Sequence, residues 1–126
     1  MIKAFLMKYS CQLLTHNDDN VIVDIQGIPL NCFTHTGINH EEGDYFDAEI
    51  SIYDDFSISK SLSHQKSITQ GEGYSYIITG ILNIDKRGID SLLFFELDEL
   101  YDYGYLDQQM VDVQILRLDI SEYEDD

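Results

Sequence analysis

The residues best suited to chemistry sit between two β-prone segments, where His35, His40, Glu41, Glu42 and Asp44 crowd into one polar loop. Imidazole and carboxylate together can hold a transition metal. The spacing matches no metal motif, however, and a polar loop between strands collects such residues without needing a ligand. Nucleophilic catalysis would need a serine or cysteine beside a histidine with an orienting acid. Cys32 and His35 are close in sequence, but on a strand an odd separation points them to opposite faces. No G-x-S-x-G turn occurs. Carboxylate pairs are abundant (Asp18-Asp19, Glu41-Glu42, Asp54-Asp55, Asp98-Glu99). A glycosidase needs two of them at a defined separation across a cleft, and a chain of 126 residues without tryptophan is a poor candidate. Gly71-Glu72-Gly73 is too short for a phosphate loop, and Gly80 does not complete the spacing. The expectation is a protein with no catalytic residues, metal site or cofactor.

The elements that would position these residues are strands. From Ala4 to Leu14 apolar and polar residues alternate, with Phe5, Met7, Tyr9, Cys11 and Leu13 on one face. A period of two predicts a strand. A helix phased on Ile2, Phe5, Leu6, Tyr9 and Leu13 is the competing reading. His16 to Asn20 is a turn by composition. Val21–Ile25 and Ile28–Thr34 read as strands around Gln26-Gly27, with Pro29 at a strand start or edge. Tyr45–Tyr53 places Phe46, Ala48, Ile50 and Ile52 on a core face. Asp47 and Glu49 then fall on an acidic wet face. Residues 56–70 are rich in Ser, Gln and Lys and read as an excursion with room for one short helix. Tyr74–Ile84 and Leu92–Leu97 predict a hairpin around Asp85–Gly88. Val111–Ile120 predicts the last strand. The count is about seven mostly antiparallel strands, an all-β fold, either a sandwich or a small OB-like barrel. One β-rich domain over 1–120 and a frayed acidic tail over 121–126 complete the expected organisation.

No run approaches the length of a membrane helix, and the N-terminus lacks the pattern of a signal peptide. A cytoplasmic location follows as the expectation. Cys11 and Cys32, in apolar segments, read as two buried thiols rather than a disulfide.

Charge is the strongest signal. Twenty-four acids face seven bases, for a net charge of −17. Nucleic-acid binding needs bases that neutralise phosphates, and an anionic membrane would repel the chain. Direct contact with either is therefore not expected. The acids also segregate: from Asp90 to Asp126 there are twelve, against Arg117 alone. Within this region Asp98, Glu99, Tyr101, Asp102, Tyr103, Tyr105 and Asp107 place four acids and three tyrosines in ten residues. Tyrosine offers a rigid amphipathic contact surface, and surrounding carboxylates suit a basic partner. These seven residues, with Asp47 and Glu49, are the candidate partner-binding set.

On the acid–tyrosine stretch and the Asp47/Glu49 strand face, the chain resembles the small acidic bacterial immunity proteins of toxin–immunity pairs, including those of contact-dependent inhibition. The resemblance is one of size, acidity and composition. It implies a cytoplasmic inhibitor of one cognate nuclease toxin, with carboxylates standing in the toxin's positive groove. A phage-type nucleic-acid mimic that blocks restriction or CRISPR effectors uses the same electrostatics. A structural β-barrel assembly subunit is the third reading. Oligomeric state stays open, a homodimer included.

Overall fold

The computed structural model describes residues 7–123. The expected strand start at Ala4, the Ile2, Phe5 and Leu6 positions of the alternative helix, and the tail residues 124–126 lie outside the described residues, whereas the helix's Tyr9 and Leu13 lie in a strand that alternates buried and exposed positions. The fold is all-β. The chain divides into two compact units, one formed up to Ser51 and from Leu118 onward, the other spanning Ile52–Arg117. Both lie largely within the stretch read from sequence as one β-rich domain.

The first unit is a closed barrel of β1 (Lys8–Asn17), β2 (Asn20–Ile25), β3 (Ile28–Phe33), β4 (Tyr45–Ile52) and β11 (Leu118–Glu122). Its order is β1-β2-β3-β11-β4. Strands β1, β2 and β3 form an antiparallel meander, and β3 runs parallel to β11. A meander of three strands joined in parallel to the last one is OB-like connectivity, and closure leaves no free edge. Alternation explains the interior. Val21, Val23 and Ile25 of β2 are buried, as are Leu30 and Cys32 of β3, and Phe46, Ala48 and Ile50 of β4. The expected core face of β4 is observed for these three.

Two turns set the meander. Gln26 and Gly27 both have positive φ, 54° and 85°. That is the geometry a two-residue hairpin needs to match strand twist. The Gly27 N–H donates to Asp24 Oδ1 at 3.0 Å. In β1 the register slips between Leu13 and Thr15. The extra residue, Leu14, is thrown outward, as a β-bulge requires.

Both thiols lie inside this barrel. Burial, with a smaller push from Asp47, raises the Cys11 thiol to about 12. Burial first, then Cys11 and Asp119, raise Cys32 further. Their unfolded counterparts ionise near pH 8.5. A folded value above the unfolded one stabilises fully below about pH 8.5 and loses that stability as pH climbs toward the folded value. Stability measured by urea unfolding should therefore fall above pH ~8.5, by up to about 1.4 kcal/mol per pH unit for each thiol. A Cys11→Ala/Cys32→Ala variant should lose that part of the slope. An unchanged slope in the variant would mean the thiols are not neutral core groups. Both thiols should also resist aromatic disulfide reagents until urea unfolds the chain.

The second unit is a six-stranded sheet, ordered β5-β10-β7-β8-β9, with β6 paired to β7. Its strands are β5 (Phe56–Lys60), β6 (Ser67–Gln70), β7 (Tyr76–Asn83), β8 (Gly88–Asp90), β9 (Phe94–Glu96) and β10 (Met110–Ile115). Among the described residues eleven strands thus replace the expected count of about seven. No helix forms in 56–70. Ile58 is buried with Ser57 and Ser59 exposed, a period of two that serves a sheet and not a helix. The expected strand Val111–Ile120 is two strands, because inward positions run 111, 113, 115 and then 118, 120. That change of phase needs a break, and Leu116 and Arg117 supply it. Ser121 and Glu122, read as tail, belong to β11.

β7 is the hub. Its Tyr76–Ile81 segment pairs with β10 on one edge. The other edge is shared, with β6 along Tyr76–Thr79 and β8 along Ile81–Asn83. Gly80 sits at the handover. Beside it the buried Ser91 donates its hydroxyl to the Thr79 carbonyl at 2.6 Å, with the Ser67 carbonyl 3.2 Å away. One serine thus ties the first residue of β6 to β7 beside the point where the β8 seam begins.

Candidate partner-docking site

The acid–tyrosine stretch folds around a short 3-10 helix of two turns, Tyr101–Leu106, within the second unit. A 3-10 helix has three residues per turn, so positions three apart eclipse. Leu100, Tyr103 and Leu106 have that spacing. Leu100 and Leu106 are buried and Tyr103 is half-buried. The Tyr103 N–H donates to the Leu100 carbonyl and the Asp107 N–H to the Gly104 carbonyl, both at 3.1 Å. The remaining positions face water. Tyr101 is 93% exposed and Tyr105 71% exposed, and Asp98, Glu99 and Asp102 are exposed beside them.

The turn is fastened to the sheet. Gln108 donates its N–H to the Leu82 carbonyl at 2.8 Å, and Leu82 donates to Gln109 at 3.0 Å. The Ile84 N–H donates to Asp107 Oδ1 at 2.9 Å, and Gln109 Nε2 donates to the Tyr105 carbonyl at 2.9 Å. Glu99 adopts a left-handed φ of 57° where the chain enters the turn. The seven residues of the stretch therefore divide by task. Tyr103 packs inward and Asp107 is engaged with the backbone of Ile84. Tyr101, Tyr105, Asp98, Glu99 and Asp102 form the open surface. Large tyrosines left in water on a fastened turn lose little conformational freedom on binding, which favours them as contact residues.

Asp47 and Glu49 belong to the barrel unit. Asp47 is exposed on β4 and accepts the Ser10 hydroxyl at 3.1 Å, with Lys8 Nζ 3.9 Å away. Glu49 is half-buried and lines a cleft of about 630 Å³ with His16, Asn39, Ser121 and Glu122. The chain's last described strand thus contributes to a site that the first half began.

Sequence reasoning missed Glu122. Its Oε1 lies 2.9 Å from His40 Nδ1, and its Oε2 accepts the Asn39 N–H at 2.8 Å. His40 stacks on Phe46, with ring centroids 4.7 Å apart. The loop of His35, His40, Glu41, Glu42 and Asp44 is thus drawn apart. Asp44 accepts the Glu41 N–H at 3.0 Å, and His35 Nε2 lies 3.9 Å from Asp119. No group of three or more His, Cys, Asp or Glu residues suited to a metal ion occurs among the described residues. The only sequence sign of the His40–Glu122 pair is opposite character across eighty-two positions, which no local pattern reveals.

Residues 7–123 match the family model described as uncharacterised conserved protein UCP019853. The chain belongs to that family. No curated protein and no solved structure matches it. Among the described residues no helix is long and apolar enough to cross a membrane.

Proposed function

We propose that this protein is a non-enzymatic acidic binding protein that docks a basic protein partner, as an immunity protein docks a nuclease toxin. One observation carries the reading. Tyr101 and Tyr105 stand in water within a frame of Asp98, Glu99 and Asp102, on a turn anchored by Leu100 and Leu106. Leaving two large aromatics exposed forgoes burial, and interface hot spots are enriched in tyrosine. The frame of carboxylates selects the sign of the partner and speeds its encounter. A nuclease groove is positive because it must hold phosphates. Carboxylates on a rigid turn fit such a groove. Cytoplasmic action belongs to the same proposal.

The test is affinity capture from the source organism at low salt, with elution by a salt gradient. One basic protein, in equimolar amount, lost from a Tyr101→Ala/Tyr105→Ala variant that keeps its circular dichroism, is the expected result. Equal capture by the variant would move the interface elsewhere. Capture of no basic protein by the wild type would overturn the reading.

The same charge has a cost to the free protein. A net charge of −17 repels itself. Raising ionic strength past ~0.1 M, where the screening length falls to about 10 Å, should raise the melting temperature. An unchanged melting temperature across a salt series would show the carboxylates to be locally compensated, which would weaken the case for a negative field at the turn.

A further inference from the structure

We propose that two copies of this chain pair antiparallel through β5, joining their second-unit sheets across a two-fold axis. Among the described residues β5 pairs with β10 alone, so its other side is an open sheet edge there. At five residues it is longer than the other two strands with an open side, β6 and β9.

The register identifies which backbone groups face outward. The Ser61 N–H donates to the Met110 carbonyl at 2.9 Å, continuing the β5–β10 ladder. Antiparallel ladders alternate bonded and non-bonded pairs. Ser59 and Ser57 are therefore bonded to β10. Phe56, Ile58 and Lys60 turn their N–H and C=O groups to the open side. These three positions are symmetric about Ile58. A second β5 laid antiparallel sets Ile58 opposite Ile58, Phe56 opposite Lys60 and Lys60 opposite Phe56. Every outward group then has a partner, and no like charges stand directly opposite. Such charges at the edge ordinarily discourage pairing. Here the register keeps the two lysines at opposite ends.

Two further observations favour a second copy of this chain. There is no acid between Asp55 and Glu72, and Lys60 and Lys66 lie in that stretch. A chain of charge −17 can approach its own copy here without facing carboxylates along the strand. Leu62, just past β5, is 95% exposed. The opposite end of β5 borders a cleft of about 450 Å³ whose lining combines Phe56, Tyr76, Ile115 and Leu116 with Asp55 and polar residues such as Gln114. The two-fold brings Leu62 of each copy opposite Asp54 of the other, at the Phe56 end of the cleft, so a carboxylate placed at position 62 would face Asp54 directly.

Hydrogen exchange on the full-length protein tests this directly. The amides of Ile58 and Lys60 face away from β10, so in a monomer they exchange freely. They should become protected as protein concentration rises, while sedimentation moves from 14.6 kDa to twice that mass. Lys60→Pro removes one outward donor per chain and leaves the β10 ladder intact. Lys60→Pro and Leu62→Asp, both at exposed positions, should each return the protein to the monomer mass with unchanged circular dichroism. A wild type that stays monomeric at all concentrations overturns the proposal. So does a dimer in which the two amides remain unprotected, or one that survives both substitutions. A strand from a different protein on this edge would give the first of these outcomes.

Discussion

Gly80→Ala should destabilise the protein by about 3 kcal/mol or more, at the upper end of what overpacking costs. An alanine Cβ at this position would stand 2.8 Å from Ser91 Cα and 2.9 Å from the Asp90 carbonyl carbon, and closer still to its carbonyl oxygen. These are backbone atoms, so no side chain can swing aside. Relief requires β8 to move off β7, which breaks the pairing of Ile81 with Asp90 and the hydroxyl bond from Ser91 to Thr79. The core beneath is the part least able to absorb this, since Ile78, Leu82, Ile89 and Phe95 are almost wholly buried. Urea unfolding of the variant reads the cost. Gly104→Ala is the control, because a Cβ there meets nothing within 4 Å. It should be neutral or stabilise by a few tenths of a kcal/mol, as expected when chain entropy alone changes. Equal stability of the two variants would mean that the handover from β6 to β8 is not tightly packed.

The second large effect is kinetic. Replacing Asp98→Asn, Glu99→Gln and Asp102→Asn preserves size and exposure while removing three charges. Association with the basic partner should slow roughly 10- to 100-fold at low salt, within the range ascribed to electrostatic steering. The rates of variant and parent should converge as salt screens the field. Dissociation should change little, because exposed rim charges act mainly on encounter. Tyr101→Ala should do the reverse. It should leave the encounter rate nearly unchanged and speed dissociation by a factor on the order of 30, the equivalent of a 2 kcal/mol hot spot. Stopped-flow mixing at two salt concentrations separates the two. Equal low-salt association rates for the triple variant and the parent would remove this turn from the interface.

Much of the fold was legible because one face of each strand is buried and the side-chain period is two. Val21–Ile25 is legible from its run of β-branched residues, and the Tyr45–Tyr53 segment because Phe46, Ala48 and Ile50 alternate with polar neighbours. The break between β10 and β11 was also written in the sequence, as a shift of phase at Leu116 and Arg117. Alternation in both halves nevertheless makes the whole run resemble one strand. Residues 56–70 were harder. Only Ile58 of β5 is buried, and in β6 the pattern is two half-buried residues followed by two exposed ones. Strands so little covered leave a weak signal, and their existence depends on partners far along the chain.

The docking turn shows the same division. Composition identified the acid–tyrosine stretch, because charge and aromatic content are local properties. Its amino acids also carry the three-residue spacing of Leu100, Tyr103 and Leu106. Which tyrosine faces water depended on the sheet against which that stripe packs. Sequence by itself determined the all-β class, the charge of −17 and the segregation of acids toward the C-terminal third. Tertiary structure alone decided the barrel closure through β11, the sharing of one β7 edge by two strands and the meeting of His40 with Glu122. Each of these joins residues distant along the chain. Local periodicity reports only which face of a segment is buried, whereas closure and long-range pairing are set by packing among segments that have no shared pattern.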